Sequence, residues 1–131
     1  MAYLLDTSIA IHAYDGSERV LTKLSQHLNA VVISALCVIE LRRGLCRHPA
    51  LVVQSRARLD ALLDGIPMLD FDRAAVDAYD RIIAQLGFVR GRDFDRMIAA
   101  HALSVNAVLV TDNEDDFSDI PGLLLENWSA A

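Results

Sequence analysis

The chain is short of cysteine, of lysine, of net positive charge and of long apolar runs, and each shortage narrows what it can be. Its two cysteines, Cys37 and Cys46, sit nine positions apart on what reads as one helix. That separation exceeds two helical turns, so they cannot bridge each other within it, and it fits no zinc-ligand spacing. They read as small buried hydrophobes. No apolar stretch reaches the roughly 18 residues that a membrane-spanning helix needs. The N-terminus has no basic segment and meets a charge at Asp6, so it does not read as a signal peptide, and a cytoplasmic protein is expected. The formal net charge of −6 argues, taken alone, against a nucleic-acid binder with a basic footprint. The objection weakens if several acids hold cations, because a bound cation becomes the largest local charge. The bases are also grouped, at Arg42, Arg43, Arg47 and His48 and again at Arg90 and Arg92.

What is present is apolar patterning over nearly the whole length. The 131 residues are 53% hydrophobic, which suits one domain, 1–131, around one packed core. Short apolar runs read as strands at Ala2–Leu5, Val31–Ile33, Ile66–Phe71, Ala107–Val110 and Leu123–Leu125, the third interrupted by Pro67 and therefore at an edge. Helices are expected between them. Thr7 or Ser8 offers a cap for the first, Ser17 for the second, Ser34 for the third and Asp72 for a later one. Residues 50–64 read as another helix, and a last one runs from about Asp93 to Val105. His48-Pro49, Gly65, Gly87 and Asn106 read as helix stops. Gly44, inside the third helix, suggests close packing there. Strands alternating with helices predict an α/β fold, a central mostly parallel sheet covered on both faces.

In such sheets ligands bind beyond the carboxyl ends of the strands. Asp6 and Asp112 follow strands, Glu40 lies within a helix and Asp95 near a helix start. Each has a plainer reading. Asp6 serves as an N-cap unless Thr7 or Ser8 caps instead and frees its carboxylate. Glu40 borders an apolar side built from Leu36, Ile39 and Leu41, or is salt-bridged to Arg43 or Arg47. Of Asp93 and Asp95, Asp93 is the expected cap and Asp95 the acid that projects from the buried face. In the run Asp112, Glu114, Asp115, Asp116 and Asp119, most acids are expected to be solvated and one or two to be ligands. His101 reads as a core histidine and Trp128 as a packing anchor. His12 and His27 have no assignable partner. As a constellation, the acids form an oxygen-only ligand set suited to Mg²⁺ or Mn²⁺, and such a site fits phosphodiester hydrolysis.

Several stretches together carry a resemblance: Leu4-Leu5-Asp6-Thr7-Ser8, Ile33-Ser34 with Glu40-Leu41-Arg42-Arg43-Gly44, and Asp95-Arg96-Met97-Ile98-Ala99-Ala100-His101-Ala102. To these are added Leu109-Val110-Thr111-Asp112-Asn113 with Asp116-Phe117, and Ile120-Pro121-Gly122-Leu123 with Glu126-Asn127-Trp128. Spread over the chain in this order, they resemble the PIN-domain ribonucleases, and within them the VapC toxins of bacterial toxin–antitoxin pairs. The resemblance implies a three-layer α/β/α fold and an Mg²⁺- or Mn²⁺-dependent endoribonuclease that cleaves RNA with a metal-activated water. It implies Asp6, Glu40 and Asp95 as core acids, with Asp116 as the fourth and Asp112 as the alternative. The lead Gly91-Arg92-Asp93-Phe94-Asp95 lacks the family's proline and adds an acid. By the same resemblance Thr7 or Ser8 bonds a ligand or its water. Arg42, Arg43, Arg90 and Arg92 are candidates to grip RNA phosphates. A homodimer and a cognate antitoxin, inserting a basic residue into the acidic site, are implied as partners.

Two other classes stay open at this point. An α/β phosphatase or phospho-acceptor domain also places aspartates at strand ends, but it wants a lysine late in the chain, and the only lysine is Lys23. A non-catalytic acidic module that binds basic partners would need no metal.

Overall fold

A computed structural model describes residues 1–45 and 52–130. The expectations placed on Cys46, on Arg47, on the His48-Pro49 stop and on a helix start at residue 50 lie outside the described residues.

The elements run β1 (Tyr3–Leu5), α1 (Thr7–Tyr14), α2 (Glu18–His27), β2 (Val31–Ser34), α3 (Ala35–Leu45), α4 (Val52–Leu63), β3 (Met68–Leu69), α5 (Arg73–Leu86), α6 (Asp93–Ser104), β4 (Val108–Val110) and β5 (Leu125–Glu126). The sheet order is β3-β2-β1-β4-β5, and every pairing is parallel. From β1 the chain steps outward twice in one direction, to β2 and β3, and then crosses to β4 on the other side. Right-handed crossovers therefore put α1 to α4 on one face and α5 and α6 on the opposite face. The packing agrees: α1 touches α2, α3 and α4, while α5 lies along α6. This is the expected three-layer α/β/α arrangement.

The middle strands are apolar because both faces are covered. Leu4, Leu5, Ile33, Leu109 and Val110 are buried between Ile9, Val20 and Cys37 on one side and Ile98, Ala99 and Ala102 on the other. Fully burying one such aliphatic side chain is worth about 1.5–3 kcal/mol. The alanines of α6 bring that helix close to the sheet. Trp128 is buried, stacks on His27 and meets Tyr3, the packing role expected of it. Among the described residues no helix is long and apolar enough to cross a membrane.

Several local expectations are corrected. Asp6, not Thr7 or Ser8, is the N-cap of α1; it has extended backbone and accepts from the Thr7 N–H. Asp93 is not the cap of α6 but its first residue, after Arg92, and it accepts a hydrogen bond from Tyr79. The third strand shrinks to Met68–Leu69 at the edge, where Pro67 still contributes its carbonyl to the Ile33 N–H. The last strand starts at Leu125 because Pro121-Gly122 prolongs the turn, with Gly122 at φ 78°. In α3 the buried face is Cys37, Val38 and Leu41, and Ile39 is 60% exposed. Among the described residues nothing lies within 4 Å of the place a side chain at Gly44 would take, so none of them makes the close packing expected there.

Candidate active site

The point where the chain reverses its direction across the sheet lies between β1 and β4, and a crevice opens there beyond their carboxyl ends. Leu5 pairs with Val110, so the residues that follow, Asp6 and Thr111, stand side by side. The Asp6 N–H donates to the Val110 carbonyl at 2.8 Å, which extends the ladder into the crevice. Helix α6 runs back toward the start of β4, so its first turn, with Asp95, lies at the same edge. Glu40 comes from the middle of α3. Asp116 comes from the tight helical turn Glu114–Asp116 that follows β4.

Asp6 is buried, and its carboxylate is held by three donors. Oδ1 accepts from the Thr7 N–H at 2.8 Å, while Oδ2 accepts from Thr111 Oγ1 at 2.9 Å and from Ser8 Oγ at 3.2 Å. Burial still pushes its pKa above the usual carboxylate value, against those bonds, and the charge of Glu40 pushes the same way. Asp95 is pushed up to about 6, first by burial and then by the charges of Asp6, Asp116 and Glu40, with Arg92 opposing. The Asp95 carboxyl thus feels the other three acids. The neighbouring Cys37 thiol is buried and pushed up to about 12, mainly by that burial, which leaves it a neutral packing group.

Asp116 is half-buried, whereas Glu114 and Asp115 are exposed, as expected of a solvated face. Asp112 goes elsewhere: its Oδ2 lies 2.8 Å from His12 Nε2, and its N–H donates to Ser8 Oγ at 3.3 Å. Glu40 is 3.8 Å from the exposed Arg43, the helical ion pair foreseen as its plainer reading. Arg42 lines a separate depression with Ile33, Asp60 and Asp64. Beside the acids an open groove of about 660 Å³ is lined, among the described residues, by Thr7, Ile11, Tyr14, Glu40, Leu41 and Arg43.

Three relationships escaped the sequence. Thr111 bonds Asp6, His12 pairs with Asp112, and buried Arg96 forks onto Asp119. Thr111 could be foreseen only by knowing that β1 and β4 are neighbours, since it occupies the position after β4 that Asp6 occupies after β1. His101 is a core histidine, as expected. Its Nδ1 lies 2.8 Å from Ser34 Oγ, its ring meets Phe71 edge-on, and it bonds the Asp70 backbone. Burial lowers its pKa, so it is neutral.

The acids fit a hard divalent cation by donor chemistry. They are all oxygen donors, and each raises the energy of its ionised neighbours. Among the described residues, however, no three acid, histidine or cysteine side chains form a ready coordinating group.

Comparison with known proteins fits this geometry. Residues 3–123 match the family model of the PIN domain, and the chain belongs to that family. It is 33% identical to ribonuclease VapC2 of Rickettsia felis, over 98% of each chain. It is 30% identical to the tRNA(fMet)-specific endonuclease VapC of Shigella flexneri, over 98% of this chain and 99% of that one. Among solved structures it is similar to VapBC2 from Rickettsia felis bound to a promoter DNA fragment. The TM-score is 0.87 at 30% identity, with 98% of this chain and 99% of that one covered. DNA-bound VapBC from Salmonella typhimurium gives a TM-score of 0.86 at 28% identity, covering 98% of each chain. This membership sets aside the phospho-acceptor reading, and Lys23 lies exposed on α2.

Proposed function

We propose that this chain is a cytoplasmic endoribonuclease toxin of a toxin–antitoxin pair, dependent on Mg²⁺ or Mn²⁺. Asp6, Glu40, Asp95 and Asp116 would hold the cation. The observation that carries this reading is Asp95, at the same edge as the other acids, whose carboxyl is raised first by burial and then by the charges of Asp6, Asp116 and Glu40. When bound, the cation supplies Lewis-acid polarisation of a phosphate and lowers the pKa of a water, so that a phosphodiester is attacked at neutral pH. The chain's own residues do the rest. Three hydrogen bonds fix both oxygens of Asp6 before any ligand arrives. Asp95, whose carboxyl is pushed up to about 6 by burial and its acidic neighbours, is relieved of that cost when a cation binds. Arg43 stands exposed at the rim of the groove, placed for a substrate phosphate, with Thr7 lining the same groove and Ser8 bonded to Asp6, whereas Arg42, also expected to grip a phosphate, lies in a separate depression.

The partner would be a cognate antitoxin, on the strength of the structural neighbours, which are toxin–antitoxin complexes. A cluster of carboxylates beside a groove lined by Ile11, Tyr14 and Leu41 suits a segment with apolar side chains and a basic residue. A homodimer is the proposed assembly. Asp116 is preferred to Asp112 as the fourth acid because Asp112 is already engaged by His12.

The test is mapping of RNA 5′ ends in cells expressing the wild type or Asp95→Asn, followed by cleavage with purified protein with and without chelator. Initiator tRNA, the substrate in the name of the Shigella relative, is the first RNA to try. Discrete ends that vanish in the variant and with chelator are expected. Cleavage unaffected by both would sink the assignment.

A further inference from the structure

Arg96 is the residue after Asp95, and Asp119 is three after Asp116. Arg96 is 2% exposed, yet its guanidinium meets the partly exposed Asp119 as a fork, Nη1 to Oδ1 and Nη2 to Oδ2, each at 3.1 Å. The guanidinium holds the Asp119 carboxyl below its ordinary pKa. We propose that Arg96 and Asp119 are positioning residues that hold segment 114–120, and with it Asp116, against Asp95. This rests on the cation-site reading above.

Stability alone does not explain the pair. A buried guanidinium loses its hydration, and well-packed apolar replacements of such pairs are often neutral or stabilising. What a fork supplies is direction. Besides local backbone bonds such as the Asp116 N–H to the Asn113 carbonyl, the segment is anchored to the core by Phe117 and Ile120, which are buried but apolar, and apolar contacts carry no direction. Asp95 and Asp116 repel each other. With only the apolar anchors, that repulsion turns Asp116 outward. The fork opposes it by tying the loop to the residue beside Asp95.

The test is Mn²⁺ titration of the full chain, read by the electron paramagnetic resonance signal of free Mn²⁺, with melting temperature as a control. Arg96→Met keeps the volume and leaves Asp119 free to take up water. Asp119→Asn keeps the shape and removes half the fork. Both are expected to weaken Mn²⁺ binding about tenfold, the scale on which groups that orient metal ligands act, while remaining folded. A folded variant that binds Mn²⁺ like the wild type overturns the clamp. So does unfolding of both variants, which would make the pair a stability element only. If Arg96→Met alone unfolds, Asp119→Asn decides. A wild type that binds no Mn²⁺ overturns the cation reading itself, a distinct outcome.

Discussion

Thr111 Oγ1 donates to Asp6 Oδ2 at 2.9 Å, joining the ends of two parallel strands through the acid most deeply buried in the crevice. A hydrogen bond to a charged group is worth roughly 1.5–3 kcal/mol. Thr111→Val keeps the shape and removes the donor, so the Asp6 carboxyl should rise further above its usual value. We expect Mn²⁺ affinity and RNA cleavage to fall about tenfold or more, from that energy. Titration calorimetry and a cleavage time course measure both. An unchanged affinity would mean that Thr7 and Ser8 suffice to orient Asp6.

Asp95 makes the cation-free protein pH-sensitive. Its pKa is about 6 in the fold against an ordinary value of 3.8, so the folded state binds the extra proton between those values. Stability therefore falls as pH rises through that window and levels off above it. Asp95→Asn removes the effect and should stabilise the cation-free protein at pH 7 by about 1 kcal/mol, after discounting for screening by water. Urea unfolding of both proteins at pH 4.5 and pH 7, in chelator, reads the difference. His101, whose lowered pKa acts in the opposite direction, is common to both and cancels. A variant less stable than the wild type at pH 7 would contradict the repulsion.

The acids of the final loop should divide. Asp116→Asn is expected to abolish cleavage and weaken Mn²⁺ binding strongly, whereas Asp112→Asn should keep most of both because Asp112 is committed to His12. Parallel titrations and cleavage assays decide between them. The reverse ranking would make Asp112 the fourth acid.

His101 is tied at both ring nitrogens. One ring nitrogen donates to the Asp70 backbone, so in the neutral ring Nδ1 accepts from Ser34 Oγ, which itself accepts from the Leu36 N–H at 3.1 Å. His101→Ala deletes a buried ring and strands these partners, with an expected loss of about 2–4 kcal/mol. Urea unfolding measures it. A loss below half a kilocalorie would mean that water replaces the ring.

The layers and the order of strands and helices were legible because hydrophobic period and turn residues are local signals. Ser17, Asp72, Gly65 and Gly87 did in three dimensions what they do in the sequence. The acids were legible as a group, since Asp6, Glu40, Asp95 and Asp116 are candidates for a shared edge once strand ends are known. What was not legible depends on which strands are neighbours and which way side chains turn. Asp6 is cap and buried acid at once, a combination that the sequence posed as alternatives. Ile39 belongs to an apolar pattern yet faces outward, because a helix face is set by what it packs against. Arg96 gave no signal, since nothing local marks an arginine in an apolar helix as the partner of an aspartate on a distant turn.

The four acids lie at positions 6, 40, 95 and 116, and β4 fits between β1 and β5 only after α6 has been made. A chain still being translated therefore carries no complete acidic cluster until almost all of it has been synthesised. At roughly 5–20 residues per second, that delay is on the order of ten seconds. If those acids hold the cation as proposed, a new chain has no complete site during that interval, and a partner that recognises the finished cluster has nothing to bind until it ends.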